Sequence, residues 1–265
     1  MALWAMTPEP GASKVGPMTT TRNEPVIEVT GLHKRYGDEI AVEDVSFVVG
    51  SGEVFGLVGP NGAGKTTTLE CLLGLRRPDH GCVRVLGLDP ATDGDELRRR
   101  VGAQLQSARL PPRLRVEEAL HWFAAFYPRT VDPEELLVRW GLTDHRAKAF
   151  ADLSGGQQQR LFIALALLSD PEVVCFDELT TGLDPRARRA TWEQVERLRE
   201  QGRTVVVVTH DMEEAERLCH RVAMIDLGRV VALGRPAQLV ADHGGSDLED
   251  VFLARTGVSA YAGEA

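Results

Sequence analysis

A glycine-rich segment near the start of the chain has the residue types and spacing needed to hold a phosphate group. GPNGAGKT matches the pattern G-x-x-x-x-G-K-[ST], with Gly59, Gly64, Lys65 and Thr66 at the fixed positions. Glycines let backbone N–H groups turn inward around phosphates, a lysine reaches the β- and γ-phosphates, and the hydroxyl ligates Mg²⁺. Because the segment follows an apolar run and precedes a helix-like one, we prefer a nucleotide site to an ordinary glycine turn.

Two further segments place polar residues directly after apolar runs. VVCFDELTTGLD carries Asp177 and Glu178, and TVVVVTHD carries His210. At the carboxyl edge of a parallel sheet, Asp177 could hold the Mg²⁺ shell and Glu178 could accept a proton from an attacking water. His210 could hydrogen-bond a γ-phosphate. The alternative, solvated carboxylates and a structural histidine, is less favoured beside a complete phosphate loop.

A second glycine-rich turn, LSGGQ, begins at Leu153. Ser154 and Gln157 have the S-x-x-Q spacing of a helix capping box, which explains these two residues without a ligand. Capping does not explain the two glycines between them, because glycine lowers helix stability. A helix N-terminus attracts an anion. Since the first loop already holds the chain's own nucleotide, the turn predicts contact with the γ-phosphate of a nucleotide bound to a second copy, in a head-to-tail pair.

The elements that position these residues predict an α/β fold. VIEVTGL and IAVEDVSFVV alternate apolar and polar residues, as half-buried antiparallel strands do, whereas EVFGLVG is apolar throughout, as a strand covered on both faces. After residue 157 the pattern alternates between helices and strands, which predicts a mainly parallel sheet with helices on both faces. RVAMIDLGRVVALGRP predicts two short strands around Gly228.

Changes in pattern suggest the boundaries of the domain. Residues 1–24 have no apolar period and predict a disordered tail, with Met18 as a possible initiator. Residues 25–240 form the predicted nucleotide-binding domain, with a helical subdomain inserted at about 107–165, and 241–265 are a short C-terminal tail. Within the insertion, Asp132-Pro133 predicts a helix start. The aromatics of HWFAAFY are interpreted as core, with some available for a groove that binds a partner.

Composition excludes some classes of function. A net charge of −9 and a pI near 5.3 argue against a constitutive nucleic-acid binder. No apolar run approaches the roughly 18 residues of a spanning helix. The four cysteines show no Cys-x-x-Cys spacing, and a reducing cytoplasm fits them best.

From Val26 to about residue 240 the sequence resembles the ATP-binding subunit of ABC transporters. The matching motifs stand in the family's order, and each is taken from this sequence. They are the adenine-stacking Tyr36, the Walker A loop from Gly59 to Thr67, the Q-loop Gln106, the LSGGQ signature, the Walker B Asp177 with Glu178, the D-loop Asp184 and the switch His210. Gln104 is the alternative for the Q-loop position. Leu179 departs from the usual proline of DEPT, and we expect no loss of hydrolysis from it.

The resemblance implies a P-loop NTPase (RecA-like) core, an N-terminal antiparallel β subdomain and an inserted helical subdomain, with ATP and Mg²⁺ bound. It implies that hydrolysis involves Glu178, His210 and Gln106, and that Mg²⁺ is held by Thr66, Gln106 and Asp177. The residues expected to bind ATP are Tyr36, Gly59, Asn61, Gly62, Gly64, Lys65, Thr66, Thr67, Ser154, Gly156, Gln157 and Asp184.

The resemblance also implies partners. LEDVFLARTG is similar to the C-terminal segment of the ABC-2 type, daunorubicin-resistance-like multidrug exporters, whose permease is a separate chain. We therefore expect a membrane permease and a second ATP-binding subunit, an identical one, as partners, and no nucleic acid. The chain is expected in the cytoplasm, peripheral on the inner face of the cell membrane. The helical subdomain is expected to touch the permease.

Two other functions are weighed against transport. A soluble ABC ATPase acting on ribosomes or DNA would carry two cassettes or a long coiled-coil insertion, and this chain has neither. A non-hydrolysing regulatory module would not need Glu178 and His210 together.

Overall fold

The computed structural model describes residues 25–257. The predicted tail 1–24, with the alternative initiator Met18, and residues 258–265 lie outside the described residues. Within them, one nine-stranded sheet runs in the order β4-β1-β2-β9-β8-β3-β7-β6-β5. Its two ends differ in strand direction and in burial, as the sequence patterns predict.

The N-terminal end of the sheet is antiparallel. Strand β1 (Pro25–Tyr36) pairs with β2 (Glu39–Gly50) and, on its other side, with β4 (His80–Val85). The inward-facing residues of these strands are apolar and buried, and alternate ones are exposed, because successive strand residues point to opposite faces. This is the predicted antiparallel β subdomain.

The other end is the parallel core. Strands β3 (Val54–Val58), β6 (Val173–Asp177) and β7 (Thr204–Thr209) are buried at every position, since helices cover both faces. Strand β5 (Val101–Gln104) pairs in parallel with β6, and β8 (Arg221–Asp226) with β3. Strand β9 (Arg229–Gly234) turns back antiparallel to β8 around Gly228, as predicted.

Parallel pairing of β5, β6, β7 and β3 has one consequence for function. The carboxyl ends of the four strands meet at one edge of the sheet. Strands β3, β6 and β7 end at Val58, Asp177 and Thr209. The motif residues at and just after these strand ends therefore lie close together at this edge.

Helices fill both faces of the sheet. Helix α1 (Lys65–Leu72) follows β3 directly, and α2 (Gly94–Arg100) precedes β5. The segment between β5 and β6 contains α3 (Val116–Ala124), α4 (Pro133–Arg139) and α5 (Gly155–Ala166). Asp132 caps α4 by accepting from the Glu134 N–H at 2.9 Å, which matches the predicted helix start. Helices α6 (Pro185–Glu200) and α7 (Met212–Leu218) follow β6 and β7.

The C-terminal segment differs from the predicted short tail. Helix α8 (Pro236–His243) and helix α9 (Leu248–Thr256) close the described chain. Leu248, Val251 and Phe252 are buried in the main hydrophobic core, because their i, i+3, i+4 spacing gives α9 one apolar face. Residues up to Thr256 therefore belong structurally to the folded unit.

The aromatics of α3 are divided between core and surface. Phe123 packs against the core, whereas Trp122 is 50% exposed and Phe126, just beyond the helix, is 67% exposed. Both rings contact Phe123, with centroids 5.7 and 6.2 Å from it. The interpretation of this segment as core therefore does not extend to Trp122 and Phe126. Among residues 25–257, no helix is both long and apolar enough to cross a bilayer.

Candidate functional site

The phosphate loop can be formed only by glycine at two positions. Gly59 and Gly64 have φ angles of 154° and 100°, in the region that favours glycine. A Cβ atom at Gly59 would lie 2.0 Å from the carbonyl oxygen of Ile225, and one at Gly64 would lie 2.3 Å from that of Ala41. The backbone N–H of Gly228 also donates to the loop at the Ala63 carbonyl, at 3.0 Å. The loop thus rests on the β8–β9 hairpin and on β2.

Lys65 is held inside this loop. Its side chain is buried, and Nζ donates to the carbonyl oxygens of Gly59 at 2.7 Å and Pro60 at 2.8 Å. Burial lowers the pKa of Lys65, and the charges of Glu178 and Asp177 offset part of that effect. The other predicted loop residues, Asn61 at the exposed tip and Thr67 in the first turn of α1, flank the same loop.

Asp177 and Thr66 meet across the sheet edge. The hydroxyl of Thr66 lies 3.4 Å from the nearer carboxylate oxygen, at the long limit for a hydrogen bond. Burial raises the pKa of Asp177, and the adjacent charge of Glu178 raises it further. A hydroxyl and a carboxylate facing each other are the hard oxygen donors that Mg²⁺ takes beside substrate phosphates, so the residues fit this ion. Thr66 and Asp177 would hold the ion, which would supply positive charge beside the phosphates of the nucleotide.

Glu178 lies at the centre of the polar contacts at this edge. Its Oε2 atom accepts from Gln106 Nε2 at 2.8 Å and from the Thr181 hydroxyl at 3.2 Å. Its Oε1 atom accepts from the Nδ1–H of His210 at 3.1 Å. Glu178 has a φ of 52°, an uncommon conformation for a residue with a side chain and one that clusters at functional sites. The structure therefore brings together the three residues predicted to act in hydrolysis.

Gln106, and not Gln104, belongs to this group. The Gln106 backbone N–H donates to Asp177, while its side chain reaches Glu178. Gln104 is buried at the end of β5, where its amide donates to Leu105 O and accepts from Gln159. Gln106 therefore lies in the turn just after β5, at the site, whereas Gln104 lies in the strand itself.

The second glycine-rich turn has the predicted capping box. The Ser154 hydroxyl accepts from the Gln157 N–H at 3.4 Å, and the Gln157 side chain accepts from the Ser154 N–H at 3.0 Å. The glycines between them are not required by the surrounding fold. A Cβ at Gly155 would meet nothing within 4 Å, and one at Gly156 would lie 3.6 Å from Ala187 Cβ, an ordinary contact. The open space favours close approach of something outside this chain.

Sequence reasoning missed a histidine behind this turn. The Gln157 Nε2 atom lies 2.9 Å from Nε2 of His145, and Gln157 Oε1 is already used by Ser154. His145 therefore accepts and carries its proton on Nδ1, which is buried with no hydrogen-bond partner. Thr181, the donor to Glu178, was missed as well. Neither residue stands at a fixed motif spacing, so the sequence carried no signal for them.

The last two predicted site residues are Asp184, at the start of α6, and Tyr36, at the end of β1. The Asp184 carboxylate caps α6 by accepting from the N–H groups of Arg186 and Ala187. Ser154, Gly156 and Asp184 border one cleft of about 750 Å³. Tyr36 ends β1 with its ring partly exposed, and Lys34 Nζ lies 5.6 Å from the ring centroid. No hydrogen bond among residues 25–257 joins the phosphate loop to the 154–157 turn.

Comparison with known proteins identifies the family. Residues 42–181, more than half of the chain, match the family model described as ABC transporter. The chain is 43% identical over 234 residues to Nod factor export ATP-binding protein I of Paraburkholderia xenovorans, covering 86% of this chain and 77% of the relative. It is 42% identical over 231 residues to the protein of the same name from Burkholderia pseudomallei, covering 85% and 76%.

Solved structures agree. An ATP-binding subunit of an ABC transporter superposes with a TM-score of 0.79 at 30% identity, covering 87% of this chain and 99% of that one. The dimeric post-hydrolysis structure of the ATP-binding cassette MJ0796 with ADP and Pi gives a TM-score of 0.71 at 29% identity, covering 79% and 98%. The phosphate loop, the Asp177–Glu178 edge and these matches together show that the chain belongs to the ABC transporter family, as an ATP-binding subunit that hydrolyses ATP with Mg²⁺.

Proposed function

We propose that this protein powers an exporter, with two copies closing head to tail around two ATP molecules and driving a separate membrane permease. Each pocket would combine the phosphate loop of one copy with the Ser154–Gln157 turn of the other. The observation that carries this proposal is the division of the site within one chain: the packing of the chain itself does not require the two glycines of the turn, and no hydrogen bond of the described residues links the turn to Lys65 or Thr66.

Each residue has a proposed part in the closed pocket. Lys65 would exchange its two loop carbonyls for the phosphates, and Tyr36 would stack on adenine. Glu178 would accept the proton of the attacking water once a donor leaves its carboxylate. Gln106 and His210 are the donors placed to move, since their side chains can follow the nucleotide and the water.

A subunit-mixing experiment tests the head-to-tail arrangement. Lys65→Ala disables the phosphate loop, and Gly156→Asp places a charged side chain on the turn, where its Cβ would make only an ordinary contact with Ala187. Each variant alone should lose hydrolysis. When the two variants are mixed in equal amounts, about one quarter of all pockets should be complete. Half of the dimers are then mixed, and one of the two pockets in each mixed dimer is intact.

The same mixture distinguishes a self-contained site. If each chain enclosed its own ATP, mixing two inactive variants would leave the activity at the level of either alone. Thermal melting of Gly156→Asp checks that loss of hydrolysis does not come from unfolding. Gly94→Asp is the matched control, because Gly94 also lies in the first turn of a helix and faces only the flexible end of Arg98.

Export through a permease is the finer part of the proposal. It is supported by the names of the relatives, which are ATP-binding proteins for Nod factor export, and by the exposed aromatic pair Trp122 and Phe126 on the helical segment. Two large exposed rings side by side are typical of a binding surface. The chain would then act in the cytoplasm, held to the inner face of the membrane by its permease.

Affinity purification from solubilised membranes tests this part. Tagged Glu178→Gln protein with ATP should recover a chain with about six segments of spanning length. The Trp122→Ser/Phe126→Ser double variant should lose that chain, whereas Val48→Ser, which changes an exposed apolar residue of β2, should keep it. Recovery of ribosomes or DNA instead would favour the soluble alternative and contradict the exporter.

A further inference from the structure

One buried carboxylate has no place in the ATP site described above. Glu214, in the first turn of α7, is 1% exposed. Burying a carboxylate costs free energy unless hydrogen bonds compensate for its lost hydration. Glu214 makes no hydrogen bond to Gln106, Asp177, Glu178 or His210 among the described residues. Its burial therefore needs another explanation.

The partners of Glu214 come from two other elements. Its Oε1 atom accepts from the hydroxyl of Thr180 at 2.8 Å and from the indole N–H of Trp192 at 3.1 Å. Trp192 lies on α6 and is itself buried. The guanidinium of Arg188 lies 5.1 Å from the Trp192 ring centroid and pairs with Asp211 at 3.2 Å. The contacts join the turn after β6, the helix α6 and the head of α7.

Both joined segments carry residues of the reaction. Thr180 stands two residues after Glu178, and its neighbour Thr181 donates to the Glu178 carboxylate. Glu214 stands four residues after His210, in a helix capped by Asp211, which accepts from the Glu214 N–H at 3.0 Å. The hydrogen bond that Thr180 donates to Glu214 therefore ties the turn that carries Glu178 to the helix that follows His210.

We propose that Glu214 is a positioning residue for ATP hydrolysis: by binding Thr180 and Trp192 it holds the Glu178 turn and the start of α7 at the separation that lets Glu178 and His210 meet. The inference rests on the roles proposed above for Glu178 and His210. The hydrogen bond from Trp192 to Glu214 also attaches α6, the helix capped by Asp184, to the Glu178 turn and to α7. None of these contacts involves the phosphate loop, so ATP binding does not depend on them.

Thr180→Val provides the sharpest test, because it removes the hydroxyl and keeps the shape. We expect kcat to fall roughly tenfold or more, as small misplacements of reacting groups do, while KM and the ATP dissociation constant stay within about twofold of wild type. Thr180→Ser keeps the hydroxyl and should restore kcat. Glu214→Gln, which keeps an acceptor oxygen, should be milder than Glu214→Ala.

Glu213→Gln is the matched control. Glu213 is the neighbouring, exposed glutamate, paired only with Arg188 among the described residues, and its replacement should leave kcat unchanged. A double-mutant cycle adds a readout beyond stability: the effects of Thr180→Val and Glu214→Ala on kcat should fall well short of additive, because both remove the same bond.

The outcomes distinguish failure of this inference from failure of the proposed function. Full kcat in folded Thr180→Val protein, with Glu178→Gln inactive, overturns the positioning role alone. Full activity of Glu178→Gln overturns the assignment of the base. A parallel loss of kcat and ATP affinity in Thr180→Val, with no rescue by Thr180→Ser, would show general disruption and also overturn the inference.

Discussion

Two neighbouring carboxylates and one buried ammonium group determine the electrostatics of the site. Asp177 is buried beside the charge of Glu178, and both effects raise its pKa. Lys65 is buried close by, and its pKa is lowered, mainly by loss of hydration. In the protein without nucleotide, burial therefore disfavours the charged forms of Asp177 and Lys65. A phosphate beside Lys65 and a divalent cation beside Asp177 would favour the charged forms of both groups. Bound ligands would therefore raise the folding stability of the protein relative to the empty state.

Asp177→Asn tests this balance. The variant removes the unfavourable charge, so we expect a melting temperature a few degrees above wild type without nucleotide, and a strong loss of hydrolysis. Because the pKa of Asp177 is raised above its ordinary 3.8, the cost is largest above the folded pKa and disappears as pH falls through the folded pKa towards 3.8. The melting temperatures of wild type and Asp177→Asn should therefore converge as the pH is lowered from 7 to 4. A variant less stable than wild type at pH 7 would contradict the assignment.

At the scale of residues, the sequence was informative where motif and strand end coincide. The meeting of Gln106, Glu178 and His210 follows from parallel strands ending at one edge, which the apolar runs predict. His145 and Glu214 could not be predicted in the same way. Each contacts its partner across 12 to 34 residues through a helix or turn whose packing no local pattern specifies.

At the scale of elements, the C-terminal helix α9 is part of the fold. The predicted tail 241–265 is too short to show a reliable period, yet Leu248, Val251 and Phe252 enter the core together. The Leu248 N–H also donates to Glu216 on α7, which ties α9 to the helix after His210. The ends of the core strands, by contrast, were predictable within a residue or two. A short continuous apolar run bounded by glycine or acidic residues is compatible with few structures other than a buried strand.

Phe252→Ala measures the contribution of α9. Removing a fully packed ring costs about 3–5 kcal/mol, so we expect that loss in the free energy of unfolding by urea titration. Asp242→Ala, at an exposed position of α8, should change it by less than about 0.5 kcal/mol. If α9 were a loosely attached tail, the two variants would unfold at the same urea concentration.

At the scale of the whole molecule, the proposed function requires two chains to complete each ATP site. The nine-stranded sheet places the residues proposed to act in hydrolysis at a single edge, while α5 presents its glycine-rich turn from the inserted helical segment. The separation of the two glycine-rich turns within one chain was predictable from sequence, since the first was expected to hold the chain's own nucleotide and the second to face that of another copy. The relative placement of the two halves was not, because it depends on how the helical segment packs on the core.

Glu178→Gln tests the whole-molecule arrangement. The amide cannot accept the proton of water, so ATP should remain bound and the pair should stay closed. Size-exclusion chromatography should show a dimer with ATP and Mg²⁺ and a monomer with ADP, and Lys65→Ala added to the same chain should abolish the dimer. Monomer under every condition would rule out the closed pair.

The support beneath the phosphate loop has a bearing on how the protein is made. Gly59 lies against the Ile225 carbonyl, and Ala63 accepts from Gly228, so the loop is shaped by a hairpin encoded more than 160 residues downstream. A nascent chain cannot complete the loop until that hairpin has emerged from the ribosome. We therefore expect the growing polypeptide to gain its full affinity for ATP only late in translation.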